Sequence, residues 1–241
     1  EYDIEGNIDI AKVVAVAPDL IPVQDQVQLN AGRANLQAVQ KFSSNLSLPP
    51  TSTIKLGLGG LKANVNGKQM NWDEAFSAIV NIASTPTGQP SLKLDCTSEF
   101  GSIKGEGDLI RGNIGGSFDL ELMHNRLSQW VALPMQQVKG SAECNITWLQ
   151  DEGNRLVTTG GIRTTPISIR SANGELKEPK WDGTFQLVAR LDRGQLIQID
   201  RANLELKAKE ELLSAVVMEP VSLVPAAPGT AGVPPAGLQL K

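Results

Sequence analysis

Three aspartates in the first half of the chain have a counterpart in the second half, and paired carboxylates can act as general acid and base. The pairs are Asp9 and Asp119, Asp73 and Asp182, and Asp95 and Asp200. Their surroundings favour a structural role. Asp9 and Asp119 precede predicted helical turns by no more than a few residues, where an aspartate or a first-turn acid is favoured at the helix N-terminus. Because each acid recurs once per half, we predict no catalytic site and rank an enzyme third among the possible functions.

Metal and thiol chemistry have few candidate residues. The single histidine, His124, has no cysteine or carboxylate at ligand spacing beside it, so we predict a partly exposed helix residue and no metal site. Cys96 and Cys144 occupy non-equivalent places in the two halves. A disulfide and two free thiols both stay open, and one isolated pair favours free thiols. No nucleophile motif and no phosphate-binding loop occurs, so we expect no cofactor.

The elements that would position these residues are themselves repeated after about 110 residues. The markers of the repeat are Gly6, Asp9, Trp72 and Asp73 in the first half and Gly116, Asp119, Trp181 and Asp182 in the second. Trp72 and Trp181 are interpreted as rings that close one end of an apolar face. We assign residues 1–112 to repeat 1 and residues 113–219 to repeat 2, and we interpret residues 220–241, rich in Pro, Ala and Gly, as a linker or tail.

Apolar and polar residues alternate along most of the chain, which predicts a mainly β fold. Turns such as Asn66-Gly67 and Asn173-Gly174 join neighbouring segments and indicate an antiparallel meander. Two segments break the alternation, from Ile10 to Ala17 and from Leu122 to Trp130, and are predicted to be short helices that cross the sheet. The predicted fold is an elongated, curved antiparallel sheet of two tandem repeats. The alternative is two β-sandwich domains.

Charge and hydropathy exclude some partners. The net charge is -4 and the sequence has no dense Lys/Arg cluster, so nucleic acid is not expected to bind. No apolar run reaches the length of a membrane-spanning helix. The chain starts at Glu1 without an initiator Met, in a segment that resembles a strand. We therefore expect it to be part of a longer polypeptide.

An antiparallel sheet with one apolar face must cover that face. A second sheet could cover it, or the sheet could curve and leave an apolar groove open to a lipid-like ligand. The candidate residues lining such a groove are Ile54, Leu56, Leu58, Phe118, Leu120, Ile146, Leu187, Ile197, Ile199, Leu204 and Leu206. A shift of register by one residue would move each of them to the other face.

The glycine-started amphipathic segments resemble those of a known family. They are Gly6-Asn7-Ile8-Asp9-Ile10 leading to Leu20-Ile21-Pro22, Gly32-Arg33-Ala34-Asn35-Leu36, Gly140-Ser141-Ala142-Glu143-Cys144, and Ile199-Asp200-Arg201-Ala202-Asn203-Leu204. Together they are similar to segments of AsmA-like and TamB-like envelope proteins. The resemblance implies a repeating β-groove in the bacterial periplasm and cell envelope, anchored by a membrane segment outside this chain, that conveys phospholipids between membranes.

Our leading hypothesis is therefore a non-enzymatic segment whose apolar concave face binds lipid acyl chains. Its expected partners are these acyl chains, the rest of a longer polypeptide and envelope membrane proteins. The alternative is a structural or adhesive β-module, a sandwich or solenoid of a large surface protein, with its apolar face wholly internal. An accessible apolar surface running through both repeats would favour the first hypothesis, and a closed core in each repeat would favour the second.

Overall fold

The structure, a computed structural model, describes residues 1–20, 23–43, 50–84, 89–151, 153–178, 180–192, 195–208, 211–217, 219–223 and 238–240. The first half contains β1 (Tyr2–Asp9), α1 (Ile10–Val16), the 3-10 helix η1 (Pro18–Leu20), β2 (Val27–Lys41), β3 (Thr51–Val65), β4 (Lys68–Ser84), β5 (Pro90–Ser98) and β6 (Gly101–Asp108). The second half contains β7 (Arg111–Asp119), α2 (Leu120–Leu127), β8 (Met135–Lys139), β9 (Ser141–Gln150), β10 (Arg155–Thr164), β11 (Ile167–Ser171), β12 (Gly174–Glu178), β13 (Trp181–Asp192), β14 (Gln195–Ala208), β15 (Glu211–Val217), β16 (Val221–Ser222) and β17 (Leu238–Leu240).

Thirteen strands lie side by side in one open antiparallel sheet, in the order β1-β2-β3-β4-β5-β6-β7-β9-β10-β13-β14-β15-β17. The short strand β16 also pairs with β14. Strands β8, β11 and β12 form a separate three-stranded sheet. The predicted mainly β, antiparallel fold with short helices is confirmed. Most of the described strands form one large open sheet that runs through both halves, and not the two sandwich domains of the alternative.

Corresponding elements of the two halves lie six strands apart in the sheet. This holds for β1 and β7, which carry Gly6 and Gly116, and for β4 and β13, which carry Trp72 and Trp181. At about 4.8 Å per strand, six strands correspond to a translation of about 29 Å. The join between the halves is the β6–β7 hairpin, whose turn is at residues 109–110. The repeat is therefore laid out along the sheet.

Each α-helix begins after an aspartate that caps it. The Asp9 carboxylate accepts a hydrogen bond from the Lys12 backbone N–H at 3.2 Å, and the Asp119 carboxylate accepts one from Leu122 at 2.8 Å. The predicted N-caps are thus present at both positions. The prediction that Leu120 continues the strand alternation is wrong. Leu120 is the first residue of α2, because the Asp119 cap closes the first helical turn there.

Strands β2, β3 and β4 are long, and register shifts divide each pairing into two parts. The shifts lie between Leu29 and Arg33 in β2 and at Leu58/Gly59 in β3, within the glycine-rich segment 57–60. We call the strand ends beyond these shifts, residues 27–31, 61–65 and 68–75, the first flap.

The main buried core lies between the first flap and the end of α2. The ring of Trp72 is 6.1 Å from that of Trp130 and 6.4 Å from that of Phe100, measured between centroids. Leu127 and Val131 pack against the same cluster. A helix of the second half therefore seals the flap of the first half.

In the second half the corresponding residues form the separate sheet of β8, β11 and β12, which we call the second flap. Gly140, with a φ of +112°, separates β8 from β9. This left-handed backbone favours glycine and breaks the strand where β2 stays continuous. The second flap contains a row of directly opposed residues, Val138, Ile169 and Leu176. Counted from the hairpin turn, this row corresponds to the row of Leu29, Ala63 and Met70 in the first flap.

Neither described α-helix is long and apolar enough to cross a membrane. In the segment interpreted as a linker, β16 and β17 are strands, and residues 224–237 and 241 lie outside the described part of the chain.

Candidate functional site

One register row of the large sheet is apolar on twelve successive strands. Its members, each directly opposite the next, are Gly6, Leu36, Leu56, Ala78, Cys96, Ile103, Gly116, Cys144, Ile162, Gly183, Leu206 and Leu213. We call this the central apolar row. It crosses both halves of the sequence without a polar side chain.

The neighbouring row, one residue along each strand, points to the opposite face and is polar. It consists of Asn7, Asn35, Gly57, Ser77, Thr97, Ser102, Ser117, Glu143, Arg163, Asp182, Lys207 and Leu212. Only Leu212, near the edge, interrupts its polar character. The two rows show that the sheet has one apolar face and one polar face from edge to edge.

The apolar face extends above and below the central row. Its larger side chains are Ile4, Ile8, Leu36, Ile54, Leu56, Leu58, Phe76, Val80, Ile82, Leu92, Leu94, Ile103, Ile114, Phe118, Ile146, Trp148, Leu156, Ile162, Phe185, Leu187, Ile199, Leu204, Leu206 and Leu213. Many are open to solvent: Ile4 is 65%, Leu56 44% and Leu204 46% exposed. A patch of this extent, left open on a folded chain, is typical of a binding surface.

The structure places nine of the eleven candidate lining residues on this face. They are Ile54, Leu56, Leu58, Phe118, Ile146, Leu187, Ile199, Leu204 and Leu206. Ile197 falls at a register shift between β13 and β14, and Leu120 belongs to α2 instead of the sheet. Phe76, Leu92, Trp148 and Ile162 also lie on the apolar face and were not among the candidates. The same alternation would have found them.

Large side chains on the apolar face lie over glycines of the next strand. A Cβ built on Gly112 would be 2.1 Å from the Trp148 ring, and one on Gly160 would be 2.4 Å from the Phe185 ring. Each ring therefore fills the space that the glycine leaves. This pairing of large and small residues covers backbone without a second layer of structure.

The apolar face is continuous where the two halves join. Phe118 lies opposite Gly101, and Ile114 lies opposite Gly105. The β6–β7 turn is held by the Asp108 carboxylate, which accepts hydrogen bonds from the backbone N–H groups of Ile110 at 2.7 Å and Arg111 at 2.8 Å. These two backbone donors, that of Arg111 first, lower the pKa of Asp108.

Both thiols are free and stand in the central apolar row. Three strand spacings separate Cys96 on β5 from Cys144 on β9. That separation is about 14 Å, too far for a disulfide within one chain. Burial, followed by the neighbouring Asp95 carboxylate, raises the pKa of the Cys96 thiol.

The three aspartate pairs are not brought together. The members of each pair lie six strands apart, about 29 Å. Asp182 is bound on the polar face by Lys180 and Arg163, each at 2.9 Å, and these hydrogen bonds lower its pKa. Arg190, at 2.9 Å, is the main cause of the lowered pKa of Asp200. These carboxylates are engaged in surface ion pairs.

Two open depressions have volumes of about 800 Å³ and about 820 Å³. The floor of the first is formed by short residues, such as Ser117 and Gly161, and long exposed side chains, such as Glu143 and Arg163, stand around it, so we interpret it as a gap between exposed polar side chains. The second is lined by residues of both faces, including Lys93 and Asn113 of the polar face and Leu92 and Trp148 of the apolar face. Among the described residues no group of three or more His, Cys, Asp or Glu residues is placed to hold a metal ion.

His124 is buried, so the prediction of a partly exposed residue is wrong. Its Nε2 lies 3.0 Å from the backbone oxygen of Met135 in β8. This bond ties α2 to the second flap. The contact joins residues that the alternation pattern could not relate, because it depends on how the helix crosses the sheet.

Comparisons of the chain with protein-family models, with curated proteins and with solved structures found no match. The class of protein is therefore defined by the fold and site alone: a large open antiparallel sheet with one accessible apolar face.

Proposed function

We propose that this chain is a non-enzymatic segment of a bacterial envelope protein whose apolar sheet face forms the wall of a groove, binds phospholipid acyl chains and conveys them between membranes. The observation that supports the proposal is the central apolar row, which passes through the join between the halves without a polar break. A binding pocket for one ligand would not need an apolar surface that spans both repeats.

The dimensions of the face suit an extended chain. Twelve strand spacings of about 4.8 Å give a sheet about 58 Å long, which exceeds the length of one lipid molecule. Burial of apolar surface contributes about 0.8 kcal/mol per methylene group, so most of an acyl chain of about fourteen carbons must lie against the face to bind with an association constant of about 10⁴ M⁻¹. The central apolar row offers no polar partner for a headgroup. We therefore expect low headgroup selectivity.

The two native thiols allow a direct test, because they stand in the central apolar row. A thiol-linked benzophenone on Cys96 or Cys144 should crosslink to a fluorescent phospholipid supplied in phosphatidylethanolamine vesicles. The matched controls are Thr97→Cys and Glu143→Cys in a chain whose native cysteines are changed to Ser. These residues are direct sequence neighbours on the polar face. Adducts from the first pair only are expected.

A transfer assay tests conveyance as well as contact. Leu56→Lys places a charge in the central apolar row, and Gly57→Lys places the same charge on the polar face, where a built Cβ has no atom within 4 Å. A cationic side chain against lipid costs about 2–4 kcal/mol. Transfer of fluorescent phospholipid between donor and acceptor vesicles should fall for Leu56→Lys and not for Gly57→Lys.

Two results would contradict the proposal. Equal crosslinking from both faces, or none from either, would show that the apolar face does not bind acyl chains. A chain whose apolar face is covered by protein would give protein–protein adducts from Cys96 and Cys144 in place of lipid adducts. That outcome would favour the alternative of a structural module.

A further inference from the structure

The contact between the end of α2 and the first flap joins the two repeats, and it shows how a helix end of one repeat packs on a flap of another. The end of α2 lies on the first flap, where Trp130 is 7% exposed. Gln24 holds the segment in place: its backbone N–H donates to the Trp130 oxygen at 3.2 Å, and its side-chain amide donates to the Val131 oxygen at 3.2 Å. The interface therefore has a helix end as one half and a flap with a glutamine as the other.

The first of these halves occurs again, uncovered, near the N-terminus. Leu20 follows its capping residue Asp9 by eleven residues, as Trp130 follows Asp119. Leu20 is 73% exposed, whereas Trp130 is 7% exposed. No residue of α1 is buried, and Val16 at its end is exposed as well. Among the residues that the structure describes, no flap covers these apolar side chains at the helix end.

The other half occurs again in the second flap. Leu176 is at the place of Met70 in the flap row, and it is 48% exposed. Gln136 follows Pro134-Met135 as Gln24 follows Pro22-Val23, and it is exposed at a register shift of β8. The second flap thus has the features of the first flap, without a helix end on the Leu176 side.

The strands at the two ends of the large sheet also correspond to the two strands that pair at the internal interface. At the internal interface, β7 pairs with β6 and leads into α2. Strand β1, which leads into α1, pairs on one side with β2, and among the described residues β15 pairs with β17 at Ala215 to Val217. Ile4 and Leu213 carry the apolar face to these two edges. Unpaired strand edges accept another strand.

We propose that copies of this chain associate head to tail: the α1 end of one copy, with Leu20, docks on the second flap of another copy, and β1 replaces β17 beside β15. The occupant is a second copy because the same sequence carries both uncovered halves, each in the place of a half of the internal interface. Such a contact is heterologous, so it builds an open row of chains with one continuous apolar face.

Sedimentation velocity of the full chain over a series of concentrations, without lipid, tests the proposal. The wild type should grow in size with concentration. Leu20→Glu disrupts the docking surface at the α1 end, and Leu176→Glu disrupts the docking surface on the second flap. Each change should weaken association about tenfold to a hundredfold. Both residues are exposed, so circular dichroism should show unchanged folding. The matched control is Leu56→Glu, on the apolar face, which should associate like the wild type.

An equimolar mixture of the two variants gives the sharpest result. The Leu20→Glu variant keeps an intact second flap, and the Leu176→Glu variant keeps an intact α1 end. One intact surface of each kind is then present, so the mixture should form dimers and nothing larger. A wild type that stays monomeric would overturn the proposal. So would association that Leu56→Glu weakens as strongly, because the apolar faces would then be packing on each other. The proposal does not depend on lipid binding, so neither result decides the outcome of the lipid crosslinking test.

Discussion

Replacing Trp130 by Ala should destabilise the protein far more than the same kind of truncation at Leu20, its counterpart in the first half. Trp130 is 7% exposed and packs on Trp72, whereas Leu20 is 73% exposed. Loss of a buried tryptophan side chain costs about 3–5 kcal/mol, because the cavity is only partly refilled. For a chain of 241 residues this corresponds to a fall in Tm of about 6–20 °C. Leu20→Ala should change stability by less than about 0.5 kcal/mol.

Thermal and urea unfolding, followed by circular dichroism of the β-sheet, measure both variants. Trp130→Phe is the control for shape, because it removes ring area without breaking a hydrogen bond of Trp130 Nε1 to another described residue. The stability of Trp130→Phe should lie between that of the wild type and that of Trp130→Ala. Because Trp130 joins the two halves, its loss should also broaden or split the transition. A small, equal effect of Trp130→Ala and Leu20→Ala would refute the view that α2 seals the first flap.

Three further predictions concern single positions. Gly160→Ala should cost about 1–3 kcal/mol, because the new Cβ would lie 2.6 Å from the Asn145 backbone oxygen, while Gly57→Ala should be neutral in the same urea titration. The pKa of Asp108 is lowered by folding, so its stabilising effect is complete above the unfolded value of about 3.9 and is lost as pH falls through the folded value. Unfolding of Asp108→Asn followed from pH 7 to about pH 2 should therefore show a weaker acid dependence than the wild type. Asp119→Ala should lower Tm more than Asp9→Ala, since each removes a cap but only α2 has a buried residue.

Alternation of residue type predicted the strand faces well, because a period of two assigns every second side chain to one face irrespective of how strands are paired. Nine candidate residues fall on one face for this reason, including Leu56 on β3 and Leu204 on β14. The capping aspartates were also visible, since a cap depends on neighbours within four residues. Local patterns thus determined the strand faces and the helix starts.

Features that depend on distant contacts were beyond the sequence pattern. Leu120 fits both a strand alternation and a helical face, and only the closed turn at Asp119 decides between them. The burial of His124 follows from its contact with Met135 across the second flap. The separate second flap follows breaks between β8 and β9, β10 and β11, and β12 and β13, and at the first of them Gly140 has a positive φ where β2 runs on unbroken.

The pairing of rings with glycines relates the fold to the proposed function. Where Trp148 lies over Gly112 and Phe185 lies over Gly160, the ring fills the space that the glycine leaves on the apolar face. An acyl chain gains about 0.8 kcal/mol for each methylene buried, and a smooth surface gives nearly the same gain at each strand. Phe76 and Phe185, which lie six strands and about 29 Å apart, are one pair of like residues on this face. Under the proposed function, an acyl chain would pass between such positions along apolar side chains, which is the property that conveyance requires and that a storage pocket lacks.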